Sequence, residues 1–216
     1  IASNFITSGA CRNVLVIGAD VFTSIIDWKD RVTSCFFGDG AGAVILSRTS
    51  KPGIMGYSLY ADGDSYEAII VPQGGSRTRK DNISINTGLN DNSAFLNMDG
   101  KAVWNFATRV LPESLAELTK SAGIEIEDID IVVPHQANKN IVKVGLEKIG
   151  LPYEKAYINL DKYGNTSSAS VFLALAEAVR EGRIESDSIV AMTAFGGGLA
   201  WASALVKWNR KEDFIS

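Results

Sequence analysis

The sequence predicts an α/β protein, because short apolar segments of strand character alternate with longer segments of helical periodicity. Asn13–Gly18 is a nearly all-apolar run, which is typical of a strand buried on both faces. Between Met98 and Gly123, apolar side chains recur at the spacing of one helix face. A content of 46% hydrophobic residues in 216 positions is enough to bury a sizeable core.

The other elements follow from the same patterns in chain order. Pro112 is expected to kink or restart the long helix, because its ring removes a backbone hydrogen bond. Residues 73–92 lack periodicity and predict a surface loop. The remaining predicted helices are the helix end at 1–10 and the segments 137–149 and 166–181. The remaining predicted strands are 34–37, 43–46, 54–60, 68–71, 130–133, 156–160, 188–194 and 199–208.

The chain is predicted to contain parts of two halves. The sequence Lys51-Pro52-Gly53 marks a boundary, so we divide the chain into 1–50, 51–210 and a short tail at 211–216. A strand, a glycine-rich turn and a strand occur around 38–42 and again around 196–198, which predicts a duplicated fold. Two ordinary hairpins explain the repeat equally well. The sequence begins without Met and inside a helical pattern, so we expect an N-terminal part to precede it.

Composition excludes several classes of function. A formal charge of -4 and a pI near 5.1 argue against a nucleic-acid-binding protein, which needs a basic face. No apolar run approaches the length of a membrane span, and the N-terminus has no features of a signal peptide. Cys11 and Cys35 form neither a metal-binding spacing nor a disulfide framework, which favours a cytoplasmic location. No metal site is predicted.

The only histidine, His135, follows a β-branched strand and precedes a helix. Ligand sites of open α/β sheets lie at such strand ends, although a structural imidazole would also fit this position. Two further segments are candidates for a functional role, namely Gly164–Ser170 and Phe195–Gly198. Asn165 in the first could simply cap a helix, and the three glycines in the second could form an ordinary hairpin turn. Gly38–Gly42 is followed by a strand rather than a helix, which excludes a dinucleotide-binding loop.

In their order and spacing, three of these motifs resemble the β-ketoacyl-acyl-carrier-protein synthase III family. They are Pro134–Asn138, Gly164–Ser167 and Phe195–Gly198, and the segments Phe37–Ala43 and Glu177–Ile184 match the same family pattern. The resemblance runs from residue 1 to about residue 208. It implies a thiolase-like fold, a duplicated αβαβα sandwich that works as a homodimer. The chain would hold the complete C-terminal half and the end of the N-terminal half.

The resemblance also implies an activity that would initiate fatty acid synthesis. In this family a cysteine accepts an acyl group from acyl-CoA, and a malonyl thioester on acyl carrier protein then loses CO2. The resulting carbanion attacks the acyl-cysteine. By resemblance, His135 and Asn165 serve the decarboxylation, and the backbone N–H of Gly197 belongs to an oxyanion hole. No cofactor is implied, because the thioesters of CoA and acyl carrier protein are substrates.

Four further residues match positions that bind CoA or its pantetheine arm in the family. Arg31 matches an arginine at the nucleotide end of CoA, and Asn138 could hydrogen-bond the pantetheine amides. Gly100 and Trp104 match residues that line the substrate tunnel. A solvated charge at Arg31 and a core aromatic at Trp104 explain these two residues equally well.

Neither cysteine matches the nucleophile, which in this family precedes the stretch where this sequence begins. Cys35 lies in a predicted apolar strand and is expected to be a small buried hydrophobe. We therefore expect the 216 residues alone to be inactive. Two alternatives stay open: a related starter acyltransferase or polyketide-type synthase, and a non-catalytic interaction subunit with the same fold. The presence of Asn165 favours a decarboxylating condensation.

Overall fold

The computed structural model of the chain describes residues 1–73 and 94–215, and it confirms the α/β class. The α-helices in these ranges are α1 (Ala2–Thr7), α2 (Gly100–Ala122), α3 (Lys139–Glu147), α4 (Leu160–Tyr163) and α5 (Ala169–Arg180). The strands are β1 (Asn13–Asp20), β2 (Gly40–Ser47), β3 (Ile54–Ala61), β4 (Ile69–Ile70), β5 (Asn97–Met98), β6 (Ile131–Pro134), β7 (Ile189–Gly196) and β8 (Ala200–Lys207). None of these helices has the length and apolar character that crossing a bilayer requires.

The larger sheet is mixed and has the strand order β3-β8-β7-β6. Strands β6 and β7 run parallel, whereas β8 is antiparallel to both of its neighbours. Beyond β6, a single parallel bridge joins Val132 to Ala156. The predicted strand 156–160 is reduced to this bridge. A separate antiparallel pair joins β1 and β2 over their full lengths, from Asn13 opposite Ser47 to Asp20 opposite Gly40.

Helices cover both faces of the larger sheet. On one face, α2 and α3 bury a cluster that includes Leu111, Leu115 and Leu146 against Val132 of β6. On the other face, the apolar side of α5 packs against β6 and β7. Helix α5 also contacts β1 and β2 with its opposite side. The layers are therefore α2 and α3, the larger sheet, α5, and then the β1–β2 pair.

Glycines allow α5 and the loop before it to approach β1 and β2 closely. A β-carbon on Gly18 would overlap the backbone carbonyl of Ser168, and one on Gly42 would lie 2.8 Å from the β-carbon of Phe172. A β-carbon on Gly38 would overlap the carbonyl oxygen of Tyr163. The glycines of the segment 38–42 thus serve direct packing of one backbone on another, and this agrees with the exclusion of a dinucleotide-binding loop.

The C-terminal residues contact the segment that directly follows β2. The backbone N–H of Ser50 donates to the carbonyl of Asp213, and that of Ile215 donates to Arg48. Lys51 forms an ion pair of 2.9 Å with the buried carboxylate of Asp213. The described part of the predicted tail is therefore attached to the segment 48–51.

Several predicted elements differ from the observed ones. Residues 34–37 form turns and one bridge instead of a strand, so Cys35 is exposed rather than buried. Strand β1 is not buried on both faces, because Leu15 and Ile17 retain 57% and 61% of their accessible surface. Helix α2 runs through Pro112 without a break. The predicted loop 73–92 lies, except for its first residue, outside the described residues.

The internal repeat has a different alignment from the predicted one. Strand β2 pairs with β1, as β8 pairs with β7, so each half contributes an antiparallel pair. The segment 21–39 connects the first pair, whereas a short glycine turn connects the second. Residues 40–42 lie within β2, whereas residues 197 and 198 lie in the turn between β7 and β8. The two glycine-rich segments that the prediction matched therefore occupy different positions relative to their strands.

The close approach of α5 to β1 generates a prediction. Gly18→Ala is expected to lower the free energy of unfolding by about 1–3 kcal/mol, because the added methyl group overlaps backbone atoms of residue 168. Urea unfolding followed by circular dichroism measures the change. Gly63→Ala is the matched control, because no atom lies within 4 Å of a β-carbon there. Equal unfolding midpoints for the two variants would contradict the packing role of Gly18.

Candidate active site

His135 lies directly after β6, where the strand leaves the core. Its backbone N–H donates to the carbonyl of Thr193 at 2.7 Å, which fixes the residue to the neighbouring strand β7. Its imidazole meets the ring of Phe195 edge-to-face, with the centroids 5.5 Å apart. The side chain keeps part of its surface accessible to solvent, although protein atoms surround most of the ring.

The two ring nitrogens of His135 have different surroundings. Nδ1 lies 2.6 Å from the hydroxyl oxygen of Ser170, in the first turn of α5. Within residues 1–73 and 94–215, Nε2 has no hydrogen-bond partner. Burial disfavours the charged form and lowers the pKa of His135 from 6.5 to about 4. At neutral pH the imidazole is therefore uncharged and can offer a hydrogen bond through one nitrogen.

Gln136 holds the chain next to His135 in place. Its side-chain amide is buried and donates to the carbonyls of Pro134, at 2.8 Å, and Tyr157, at 3.2 Å. Its amide oxygen accepts from the backbone N–H of Asn159 at 3.0 Å. The side chain of Asn159 in turn donates to the carboxylate of Glu177 on α5. These bonds tie the end of β6 to the segment that follows residue 156 and to α5.

The backbone of Asn165 is fixed by the segment before β2. Its N–H donates to the carbonyl of Phe36 at 2.8 Å, and its carbonyl accepts from the N–H of Gly38 at 2.9 Å. The preceding residue has φ +68° and ψ -164°, a conformation that only glycine adopts readily, and Gly164 supplies it. Tyr163 anchors the loop further, because its hydroxyl donates to Glu177 at 2.6 Å.

The side chain of Asn165 is buried, and its two polar atoms have different surroundings. Oδ1 accepts from the backbone N–H of Ser167 at 2.9 Å. Ser167 has φ +53°, a left-handed conformation that is uncommon for serine. Nδ2 makes no hydrogen bond to any described residue. Asn165 therefore does not cap α5, which was the simpler interpretation, and its amide N–H groups remain available as donors.

Asp20 caps α5 from the first half of the chain. Its carboxylate accepts from the backbone N–H of Ser168 at 3.0 Å and from the hydroxyl of the same residue at 2.5 Å. The hydroxyl bond is the largest cause of a lowered pKa at Asp20. A carboxylate at the start of a helix also satisfies N–H groups that have no partner within the helix.

Gly197 lies in the turn between β7 and β8, with the Gly198–Leu199 peptide in the cis form. It is exposed, and its backbone N–H makes no hydrogen bond to any residue in the described ranges. Phe195, two residues earlier, contacts His135. The predicted oxyanion donor is therefore close in sequence to a direct neighbour of the imidazole.

The four predicted substrate-binding residues have varied surroundings. Arg31 is exposed and pairs with no carboxylate among the described residues. Gly100 is the first residue of α2 and has open space where a β-carbon would lie. Trp104 packs partly buried against a core cluster that includes Phe106. Asn138 caps α3 by accepting from the N–H of Asn140 at 2.8 Å. Their roles in binding CoA and pantetheine remain predictions.

The structure thus brings His135 into contact with the segment that carries Asn165, through Ser170. Gly197 follows Phe195, whose ring contacts His135, by two residues. Within the described ranges, no three His, Cys, Asp or Glu side chains cluster in a way that could hold a metal ion.

Sequence reasoning missed three residues that support the site: Gln136, Ser170 and Asp20. The first two lie inside the motifs described above, whereas Asp20 follows the predicted strand Asn13–Gly18 and belongs to none of the motifs. The sequence contains no signal that Ser170 faces His135, because 35 residues separate them and only the packing of α5 on β6 joins them.

The surroundings of His135 generate a second prediction. Because burial opposes protonation, the imidazole should titrate near pH 4 and stay neutral at pH 7. NMR titration of the histidine signals, assigned by their loss in His135→Gln, measures this pKa. Since only the folded chain resists protonation, the free energy of unfolding should fall as the pH drops from 6.5 toward 4. An inflection between pH 6 and 7 would contradict the buried, neutral imidazole.

Comparison with known proteins gives the same family as the motifs. Residues 1–63 match the family model of 3-oxoacyl-[acyl-carrier-protein (ACP)] synthase III. Residues 119–208 match the model of the C-terminal part of that enzyme. The chain is 44% identical over 211 residues to β-ketoacyl-[acyl-carrier-protein] synthase III of Caldanaerobacter subterraneus subsp. tengcongensis. The alignment covers 97% of the chain and 62% of the relative, so the chain spans about three-fifths of that enzyme's length.

Comparison with solved structures agrees with this family match. The chain superimposes on β-ketoacyl-[acyl-carrier-protein] synthase III of Thermus thermophilus with a TM-score of 0.85 and 38% identity, covering 96% of the chain and 63% of that structure. It also superimposes on the priming β-ketosynthase of the R1128 polyketide biosynthetic pathway, with a TM-score of 0.81 and 34% identity over 96% and 61% of the two chains. The chain has the predicted thiolase-like fold and belongs to the 3-oxoacyl-[acyl-carrier-protein] synthase III family.

Proposed function

We propose that the protein containing this chain condenses an acyl-CoA starter with malonyl-acyl carrier protein, with loss of CO2, and so initiates fatty acid synthesis. The observation that carries the proposal is a pair of neutral donors without protein partners in the described residues. These are Nε2 of His135 and Nδ2 of Asn165, while the other polar atom of each side chain is held by the segment 167–170.

The chemistry of decarboxylation needs such donors. When the C–C bond to the carboxylate breaks, its electron pair moves to the α-carbon and is delocalised onto the thioester oxygen. CO2 leaves, and the oxygen gains negative charge. Preorganised N–H donors in a site with little water stabilise this charge strongly. A neutral imidazole and an amide are weak acids, so they can stabilise the enolate without protonating the carbanion before it attacks the acyl group.

The acyl group requires a nucleophile as well. Cys35 is exposed, and its sulfur lies 3.6 Å from the carbonyl oxygen of Arg31 within its own turn. Cys11 is also exposed, and neither cysteine has a hydrogen bond to His135, Asn165 or Gly197. We therefore assign the acyl-cysteine to a part of the protein outside these 216 residues. The N–H of Gly197 would then stabilise the tetrahedral intermediate formed there.

The remaining parts of the proposal concern substrates and assembly. Arg31, Gly100, Trp104 and Asn138 are assigned to CoA and its pantetheine arm, and acyl carrier protein is the macromolecular partner. A homodimer and a cytoplasmic location belong to the same proposal. Support comes from the names of the similar enzymes, which identify acyl carrier protein as the carrier in their reaction.

Removal of either neutral donor provides the main test. His135→Ala and Asn165→Ala are each expected to slow decarboxylation by a factor of about 10² to 10³, because one donor to the developing oxyanion is lost. The assay measures CO2 released from carboxyl-labelled malonyl-acyl carrier protein by the protein complete with its nucleophile segment.

Asn4→Ala is the matched control, because this amide lies exposed on α1 and its side chain makes no hydrogen bond to the described residues. Its rate should equal that of the unaltered protein. If either active-site variant decarboxylates at a rate within a few fold of the control, the assigned role of that residue is wrong. If the unaltered protein releases no CO2, a non-catalytic subunit becomes the better interpretation.

The assignment of the nucleophile has its own test. The 216-residue chain incubated with acyl-CoA is expected to gain no acyl mass, because Cys35 lacks the activating surroundings of a helix N-terminus or a neighbouring base. Intact-mass spectrometry before and after incubation measures the change, with Cys35→Ser as the control for nonspecific transfer. An acyl adduct that disappears in Cys35→Ser would show that the chain carries its own nucleophile.

A second candidate function is priming of polyketide synthesis. The likeness to the priming β-ketosynthase of the R1128 pathway supports it, since that enzyme shares the fold at 34% identity. Assays with acyl-CoA starters of graded length, and with carrier proteins from fatty acid and polyketide synthesis, distinguish the two. Faster condensation with the polyketide carrier would favour the second function.

A further inference from the structure

We infer that Ser170 is a positioning residue, whose hydroxyl donates to Nδ1 of His135 and thereby fixes the imidazole in the tautomer that carries its proton on Nε2. The importance of this tautomer for the reaction rests on the proposed function. The tautomer itself is a property of the folded chain without substrate.

The geometry around the Ser170 hydroxyl leaves few arrangements. The residue is 1% exposed, so bulk solvent does not reach its hydroxyl group. Its oxygen lies 2.6 Å from Nδ1 of His135 and 3.4 Å from the backbone nitrogen of Gln136. A hydroxyl has one proton to donate and two lone pairs that accept. The N–H of Gln136 can only donate, so it occupies one of the lone pairs.

The hydroxyl proton then needs an acceptor. Among the described residues, Nδ1 of His135 is the only acceptor within hydrogen-bond distance of the Ser170 oxygen. If Nδ1 carried the proton instead, it would donate to Ser170 and leave a buried O–H group without a partner, which is unfavourable. The favoured arrangement therefore has a lone pair on Nδ1. The other nitrogen of a neutral imidazole must then be protonated.

A hydrogen bond to the acceptor atom also orients the side chain of Asn165. Its acceptor atom, Oδ1, is occupied by the backbone N–H of Ser167, which leaves the donor Nδ2 available. In His135, the acceptor nitrogen is occupied by Ser170, which leaves Nε2–H available. Both holding groups belong to the short segment 167–170 at the start of α5. One segment thus binds an acceptor atom of each side chain and leaves a donor of each available.

NMR of the unliganded chain tests the tautomer. Histidine labelled with 15N gives one imidazole in this sequence, because His135 is the only histidine. Long-range 1H–15N correlation spectra at pH 7 should show a protonated Nε2 and an unprotonated Nδ1 that accepts a hydrogen bond. A spectrum with Nδ1 protonated would overturn the inference, whatever the activity of the protein.

Substitution tests the role of the hydroxyl. Ser170→Ala is expected to change the Nδ1 shift to that of a nitrogen without a hydrogen bond and to slow decarboxylation by about 10- to 100-fold, mainly through kcat. Ser170→Thr keeps the hydroxyl and should retain the tautomer signature and most of the rate. An unchanged Nδ1 shift in a folded Ser170→Ala chain would refute the hydrogen bond.

The two proposals fail in different ways. If His135→Ala decarboxylates normally but the spectrum shows Nε2–H, the proposed role of His135 in the reaction is wrong and the tautomer inference stands. If His135→Ala is inactive but Nδ1 is protonated, the inference about Ser170 is wrong, and the reaction requires His135 in a role other than that of an Nε2–H donor. A Ser170→Ala chain that fails to fold leaves the spectrum of the unaltered chain as the deciding measurement.

Discussion

The segment 163–170 lies in direct backbone contact with β1 and the start of β2, and the candidate site depends on this contact. Two hydrogen bonds hold the backbone of Asn165 between Phe36 and Gly38. Gly18 and Gly38 have no β-carbon that would force the two backbones apart. The position of the Asn165 amide therefore follows from packing between the two parts of the chain. A β-carbon at either glycine would overlap a backbone carbonyl of the segment 163–168 and force that segment to shift.

The predicted boundary near residue 52 separates two parts that both contribute residues to the candidate site. The first part supplies Asp20, which caps α5, and the backbone groups that hold Asn165. The second part supplies His135 at the end of β6, and α5 joins the two because it packs on both sheets. The stability of the fold and the geometry of the candidate site therefore both depend on contacts across the boundary. A change in the packing of β1 on α5 would reach His135 through Ser170, the first-turn residue that holds its imidazole.

Much of the fold follows from the sequence, because its buried elements have clear periodicity. Strand β6 and helix α2 lie within a few residues of their predicted bounds. Predictions fail where tertiary contacts override local pattern. The apolar run 34–37 forms turns, since it bonds to the loop of Asn165 instead of a neighbouring strand. The motifs identified His135 and Asn165 but not Ser170. A serine 35 positions from a histidine becomes its partner only through the packing of a helix on a sheet.

Under the proposed function, the use of neutral donors explains why an uncharged hydroxyl and a backbone N–H, rather than charged groups, hold the side chains of His135 and Asn165. A cationic side chain would stabilise an enolate more strongly, but it would also stabilise the malonyl carboxylate before CO2 leaves. Only interactions that strengthen in the transition state increase the rate of the chemical step. Neutral N–H groups aimed at the thioester oxygen favour the state in which that oxygen carries charge. Under the proposed function, burial that keeps His135 uncharged and a serine that occupies its acceptor nitrogen would both serve this selectivity. The lowered pKa and the inferred tautomer would then meet one requirement, an imidazole that donates a hydrogen bond to the enolate oxygen without transferring its proton.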